Sequence, residues 1–131
     1  MILIDSSVWV DNLSSRPTTK REQFKEYMTG GEVVTIWPII NEVLSHPNPK
    51  FLPVLREGLK ALERIDRDWN AATTWEQLLD ISAFARRVGI SPLGVVDRMV
   101  LLCAKETNAM FWTLEKKAIR LAEKLGIRFV G

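Results

Sequence analysis

Four carboxylates far apart in the chain, Asp5, Glu42, Asp97 and Glu115, have the type and placement to do chemistry together. Each stands just after a short apolar run or early in a helical stretch. Their donors are oxygen only. His46 is the single histidine and sits in a proline-broken loop, and Cys103 is the single cysteine, which excludes a zinc cluster and a disulfide framework. Oxygen donors without His or Cys select a hard cation, Mg²⁺ or Mn²⁺. Like charges brought together cost several kcal/mol unless a cation or a proton compensates them. The plain alternative is that each acid caps a helix or sits in its first turn, where the dipole contributes about 0.3–1 kcal/mol. That accounts for single acids, not for four on one edge.

The elements that must position these acids are legible from periodicity. Residues 1–4, Met-Ile-Leu-Ile, read as a strand buried on both faces and ending at Asp5. Ser6 or Ser7 is placed to cap a helix whose inward stripe is Trp9, Val10 and Leu13. After a polar loop over 14–18, the spacing predicts a helix over 19–29 with Phe24, Tyr27 and Met28 inward, a strand over 32–36 and a helix over 38–44 opened by Pro38. Three prolines break 46–53. A helix over 54–62, a weak strand over 63–66 and a long helix over 69–88 capped by Asp68 follow, the last with a stripe of Ala71, Trp75, Leu78, Ser82 and Ala85. Gly89 closes that helix. The next begins at Ser91-Pro92 or Gly94 and carries Asp97, with Val96, Met99, Val100, Cys103 and Ala104 inward. A fourth strand over 109–114, a helix over 115–125 stopped by Gly126, and a fifth strand over 127–130 complete the chain. Helices alternating with short apolar strands imply a central, mostly parallel sheet of four or five strands with helices on both faces, a three-layer α/β/α architecture. In such a sheet strand C-termini and helix N-termini share an edge. Asp5, Glu42, Asp97 and Glu115 all fall on it.

Composition bounds the rest. At 131 residues and 47% hydrophobic, the chain fits one domain over 1–131 with its own core. No basic stretch precedes an apolar one and no apolar run nears about eighteen residues, so neither a signal peptide nor a membrane span is expected, and the location expected is cytoplasmic. Net charge is only +2, which does not announce a nucleic-acid binder, although residues from 101 onward carry six Lys or Arg against three Asp or Glu. Lys20, Arg21 and Lys25 form a cationic helix face that either flanks a substrate groove or is simply solvated. Trp9, Trp75 and Trp112 are expected in the core rather than as base-stacking platforms, while Trp37 and Trp69 start helices and fit either role.

The segments ILIDSSVWVDNL, IWPIINEVL, GVVDRMVLLCAKE and FWTLEKKAIRLAEKLGIRFV, in this order and spacing, resemble a PIN-domain protein of the VapC toxin type. The resemblance spans essentially the whole chain. It implies a PIN-like fold, a Mg²⁺-dependent ribonuclease with Mn²⁺ as a possible substitute, a homodimer, and a cognate VapB-like antitoxin that holds the toxin inactive. Asp5, Glu42 and Asp97 match the family's principal metal-binding acids, and Ser7 and Thr113 match positions where a hydroxyl lies near the site. Glu115 stands where the family usually has Asp. Lys117 and Ala118 stand where it often has a further acid and a Phe, so Lys117 either lowers the site's negative charge or holds an RNA phosphate. Surplus apolar residues on the early helices, around Phe24, Tyr27, Val54 and Leu55, are a second motive for self-association.

A carboxylate-held Mg²⁺ would orient a water in line with a scissile phosphorus and offset charge on the phosphoryl oxygens. Asp5 and Asp97 are then direct ligands, Glu42 a ligand or base, and Glu115 an acid acting through water or a second metal. By the resemblance, cleavage leaves a 5′-phosphate and a 3′-hydroxyl. Rival classes fit less well. A phosphoaspartate receiver or a haloacid-dehalogenase-like enzyme needs neighbouring acids that are absent, Ser7 standing where the second would be, and a nucleotide-binding module needs a glycine-rich loop. The rival that survives is a PIN fold that has lost catalysis and binds RNA or protein.

Overall fold

Strand β1 (Ile2–Ile4) is the middle of the sheet, and Ile2, Leu3 and Ile4 are all buried. Consecutive strand residues point to opposite faces, so burial of all three means that both faces are covered. The computed structural model describes residues 1–14, 16–18, 21–46 and 52–131. Its other strands are β2 (Val33–Thr35), β3 (Glu63–Arg64) and β4 (Met110–Trp112). All pair in parallel in the order β3-β2-β1-β4, with Ile2 opposite both Val33 and Met110. Among the described residues seven helices flank them: α1 (Ser6–Asn12), α2 (Arg21–Thr29), α3 (Trp37–Leu44), α4 (Leu52–Ala61), α5 (Ala72–Arg87), α6 (Val95–Thr107) and α7 (Lys116–Lys124). Among the described residues no helix is long and apolar enough to cross a membrane.

The strand order carries the functional consequence. From β1 the chain steps to β2 and β3 on one side, then returns to place β4 on the other. The order therefore reverses between β1 and β4, and in open parallel sheets the crevice outside the strand C-termini at that reversal is where ligands bind. Asp5 follows β1 and Thr113 follows β4, so both stand at the crevice mouth.

Packing explains why the helices lie where they do. Helix α6 buries five consecutive residues, Val100 to Ala104, and so is enclosed nearly all round. Helix α3 buries Ile39, Ile40 and Val43, and α7 buries Ala118, Leu121 and Ala122. Helix α2 is pinned by aromatic edges, with Phe24 4.9 Å from Trp9 and Tyr27 5.8 Å from Trp112 between ring centroids. Phe24, Tyr27 and Leu55 thus serve the core, and of the four residues that suggested an apolar surplus only Val54 is left exposed. Gly89 and Gly126 end α5 and α7 at φ of 76° and 75°, the left-handed region that glycine adopts without a steric cost.

Three expectations change. The fifth strand reduces to a single bridge between Phe111 and Phe129. In a three-residue β4 the backbones of Met110 and Trp112 bond to the β1 side, which leaves Phe111 alone to accept from Val130 and donate to Arg128 on the other. Helix α5 starts at Ala72, because Asp68 Oδ1 accepts the Asn70 N–H and holds a turn instead of a cap. Its buried stripe is Thr74, Leu78, Ile81 and Ala85, and Trp75 is 43% exposed with its Nε1 donating to the Trp69 carbonyl. Lys20, and Pro47 and Pro49 of the broken loop, lie outside the described residues.

Candidate active site

Asp5 is 3% exposed at the end of β1, and its two carboxylate oxygens have different surroundings. Oδ2 accepts hydrogen bonds from Ser7 Oγ and Thr113 Oγ1, each at 2.8 Å. Each hydroxyl has one proton and spends it on Oδ2, while its oxygen accepts a backbone N–H, from Leu114 to Ser7 at 3.1 Å and from Glu115 to Thr113 at 3.1 Å. Two hydroxyls, each itself held by a backbone N–H, thereby lock one oxygen and tie the start of α1 to the end of β4. Oδ1 is buried and has no hydrogen-bond partner among the described residues. An unpartnered, solvent-excluded carboxylate oxygen is costly, and a cation is the natural partner for it.

Asp5 occupies the N-cap position of α1 but makes no side-chain cap bond, and Glu115 at the N-cap of α7 makes none either. The capping alternative therefore fails for both. The serine expected to cap α1 is instead the donor that holds Asp5.

The other acids ring the same cavity. Asp5, Ser7, Glu42, Asp97 and Glu115 line a pocket of about 400 Å³, with Ser6 and His46 also on its wall. Glu42 is exposed on α3, and its Oε1 accepts a 2.8 Å bond from Ser6 Oγ. That anchor is the site feature sequence reasoning missed; Ser6 read as a candidate cap, and only the fold brings residues thirty-six apart into contact. Asp97 lies in the first turn of α6 behind Gly94. Burial pushes its carboxyl up, and the charges of Asp5, Glu42 and Glu115 push it further, to about 6, against a smaller lowering by Lys117. A carboxyl with three acidic neighbours and partial burial is what functional sites tend to hold.

Lys117 is not on the pocket wall. Its Nζ donates to Ser91 Oγ at 3.1 Å and to the Pro92 carbonyl at 3.3 Å, which ties α7 to the loop before α6. The ammonium stays near enough to be felt by Asp97 without plugging the pocket.

Whether these residues fit a divalent cation is decided by donor chemistry and arrangement. Among the described residues no three His, Cys, Asp or Glu side chains are gathered tightly enough to hold an ion as they stand. The unpartnered Asp5 Oδ1, the oxygen-only donor set and the raised Asp97 carboxyl do fit a hard cation. Holding one requires the solvent-facing Glu42 and Glu115 side chains to close inward, which long exposed side chains can do.

Comparison with known proteins agrees with this architecture. In fold the chain is similar to FitAcB from Neisseria gonorrhoeae, with a TM-score of 0.67 and 16% identity over 100% of this chain and 97% of that one. It is likewise similar to FitAB bound to the IR36 DNA fragment, with a TM-score of 0.70 and 15% identity over 99% of this chain and 94% of that one. At such identities the likeness is one of fold. A search of curated proteins gave no match. The family model for the PIN domain matches residues 2–124, nearly the whole length and every acid of the pocket, and the chain belongs to the PIN domain family.

Proposed function

We propose that this chain is a metal-dependent endoribonuclease of the VapC toxin type, acting as one domain over 1–131 and held inactive by a cognate VapB-like antitoxin. PIN domains are generally nucleases. The observation that carries the reading is the divided carboxylate of Asp5 at the reversal point of the sheet, one oxygen locked by Ser7 and Thr113 and the other left without a protein partner among three further acids. Mg²⁺, or Mn²⁺ in its place, supplies Lewis-acid polarisation and charge neutralisation at a scissile phosphate when bound in such a site.

The chain's own residues have separable roles in this reading. Asp5 and Asp97 hold the cation, and Ser7 and Thr113 orient Asp5 by fixing Oδ2. Glu42, steadied by Ser6, is a further ligand or the base that takes the proton of the attacking water. Glu115 carries one methylene more than Asp and acts through water or at a second cation. The homodimer and the RNA substrate follow from the VapC resemblance. FitAB is bound to a DNA fragment in the neighbour structure, which supports an assembly with the antitoxin that also meets nucleic acid.

RNA cleavage with Mg²⁺ or Mn²⁺, compared with EDTA and with Asp5→Asn, tests the proposal. Cleavage that needs the metal, leaves 5′-phosphates and disappears in Asp5→Asn is expected. Wild-type cleavage in EDTA, or full activity of Asp5→Asn, refutes it. The rival reading, a fold without catalysis that binds RNA or protein, leaned on Glu115 and Lys117 standing where the family usually has other residues. Lys117, bonded to Ser91 and Pro92, stays off the pocket wall while its charge still reaches Asp97, so it moderates the acids without occupying their cavity.

A further inference from the structure

On the face of α3 next to Glu42, Trp37, Ile40, Asn41 and Leu44 recur at helical spacing and, with Arg56 and Lys60 of α4, line a groove of about 430 Å³. The floor is apolar and the rim cationic. Trp37 is 45% exposed and stands at one end of this apolar floor. Its place is nevertheless fixed. The Trp37 backbone N–H donates to Asp66 Oδ1 at 2.8 Å, and Trp69 Nε1 donates to the same oxygen at 2.8 Å, so the start of α3 is clamped to the segment after β3. The Arg64 guanidinium lies 4.7 Å from the Trp37 ring centroid. Arg64 is not part of the groove wall, so it backs the indole rather than filling the groove.

Arg64 lies over this ring, and Arg56 and Lys60 line the groove beside it. Among the described residues the ion pair present is Arg67 with Glu106, which leaves Arg56, Lys60 and Arg64 without an acidic partner. A rigid exposed indole backed by a guanidinium, beside two free cations, matches the alternation of base and phosphate in an unpaired nucleic-acid strand. A duplex keeps its bases stacked inside and offers nothing to the ring. An acidic peptide would satisfy the cations but leave the indole unexplained. Asn41 of the groove and Glu42 of the acid pocket are consecutive on α3, so the groove and the pocket use adjoining faces of one helix.

We propose that this groove is a nucleotide-binding subsite for single-stranded RNA, in which a base stacks on Trp37 while Arg56 and Lys60 hold the flanking phosphates; it rests on the ribonuclease reading and assigns unpaired RNA as the substrate class.

The test is fluorescence anisotropy with a labelled oligouridylate and with a labelled RNA duplex of equal length, in EDTA at low ionic strength so that binding is separated from cleavage. Wild type should prefer the single strand. Trp37→Ala should weaken single-strand binding about tenfold, as loss of one stacked base does, and Trp37→Phe should recover most of it. The double variant Arg56→Ala, Lys60→Ala replaces exposed residues and so tests the groove even if Trp37→Ala folds poorly; its slope of log affinity against log salt should flatten by about 1.4. Unchanged binding in a folded Trp37→Ala, an unchanged slope in the double variant, equal affinity for duplex, or no wild-type binding overturns the subsite. Cleavage with Mg²⁺ is followed in parallel. Metal-dependent cleavage with Trp37-independent binding sinks the subsite alone, whereas Trp37-dependent binding without cleavage sinks the nuclease reading and leaves an RNA-binding groove.

Discussion

Replacing Asp97 with Asn should stabilise the metal-free protein, and the size of the effect should depend on pH in a way that capping cannot imitate. Burial, followed by the charges of Asp5, Glu42 and Glu115, moves the Asp97 carboxyl from 3.8 to about 6. The folded protein thus holds this proton more tightly than the unfolded chain does. The resulting stability is complete below pH 3.8 and is lost as pH rises through about 6. An ionisation displaced by about two pH units corresponds to about 3 kcal/mol at 1.36 kcal/mol per unit. Asp97 is only partly buried, and water screens its neighbours, so about 1 kcal/mol is the effect to look for. For a domain of this length that is about 4 °C in Tm.

Thermal melts of wild type and Asp97→Asn in EDTA, from pH 4 to pH 8, read this directly. The two should melt together at pH 4, separate through pH 5–6, and differ by about 4 °C in favour of Asn above pH 7. Added Mg²⁺ should then raise the melting point of wild type and not of the variant, since a ligand stabilises only a state that binds it. A variant that melts below wild type at pH 7.5 in EDTA, or a difference that does not change with pH, refutes the account of mutual repulsion. It would restore Asp97 to an ordinary first-turn acid favoured by the α6 dipole.

Thr113→Val removes one of the two hydroxyls on Asp5 Oδ2 and the acceptor of the Glu115 N–H, so urea denaturation should show a loss of about 1–3 kcal/mol together with impaired cleavage. Lys117→Ala removes the one charge that lowers the Asp97 carboxyl, and Glu115→Gln removes one that raises it. The acidic limb of the pH profile of kcat/KM should therefore move to higher pH in the first and to lower pH in the second. Glu115→Gln should weaken cleavage far less than Asp5→Asn, and Glu115→Asp should keep or raise it; loss of cleavage in Glu115→Gln equal to that in Asp5→Asn would make Glu115 a direct ligand.

Much of the fold was legible because the signals that set it are local. Seven helical stretches and four strands follow from apolar spacing, glycines after helices and Pro38 at a helix start, and each is present with its ends moved by a few residues. The differences have local causes of another kind. Thr74 is buried and Trp75 half exposed because the α5 stripe is set by what packs on α6, and reading hydrophobicity alone chose the larger apolar ring one position away. The final strand shrank because β4 is three residues long, a property of the partner strand that residues 127–130 do not encode.

The acids were legible as a set because an alternating parallel topology sends every strand end and helix start to one edge. What their setting looks like was not, since it is made of contacts between distant residues. Ser7 and Thr113 meet on one oxygen of Asp5 across 106 residues of chain, and Ser6 reaches Glu42 across thirty-six. The sequence left open whether Asp5 was a cap or part of a site, because Asp followed by Ser fits both. The geometry separates them by where the acceptor is spent. A capping carboxylate takes the N–H groups of its own helix, which are the nearest donors available. Asp5 takes none of them, accepts instead two hydroxyls that its own fold delivers to Oδ2, and keeps Oδ1 buried with no partner beside three more acids. Four acids at one edge are a consequence of topology; an oxygen left bare among them carries a stability cost that a neutral residue would not incur.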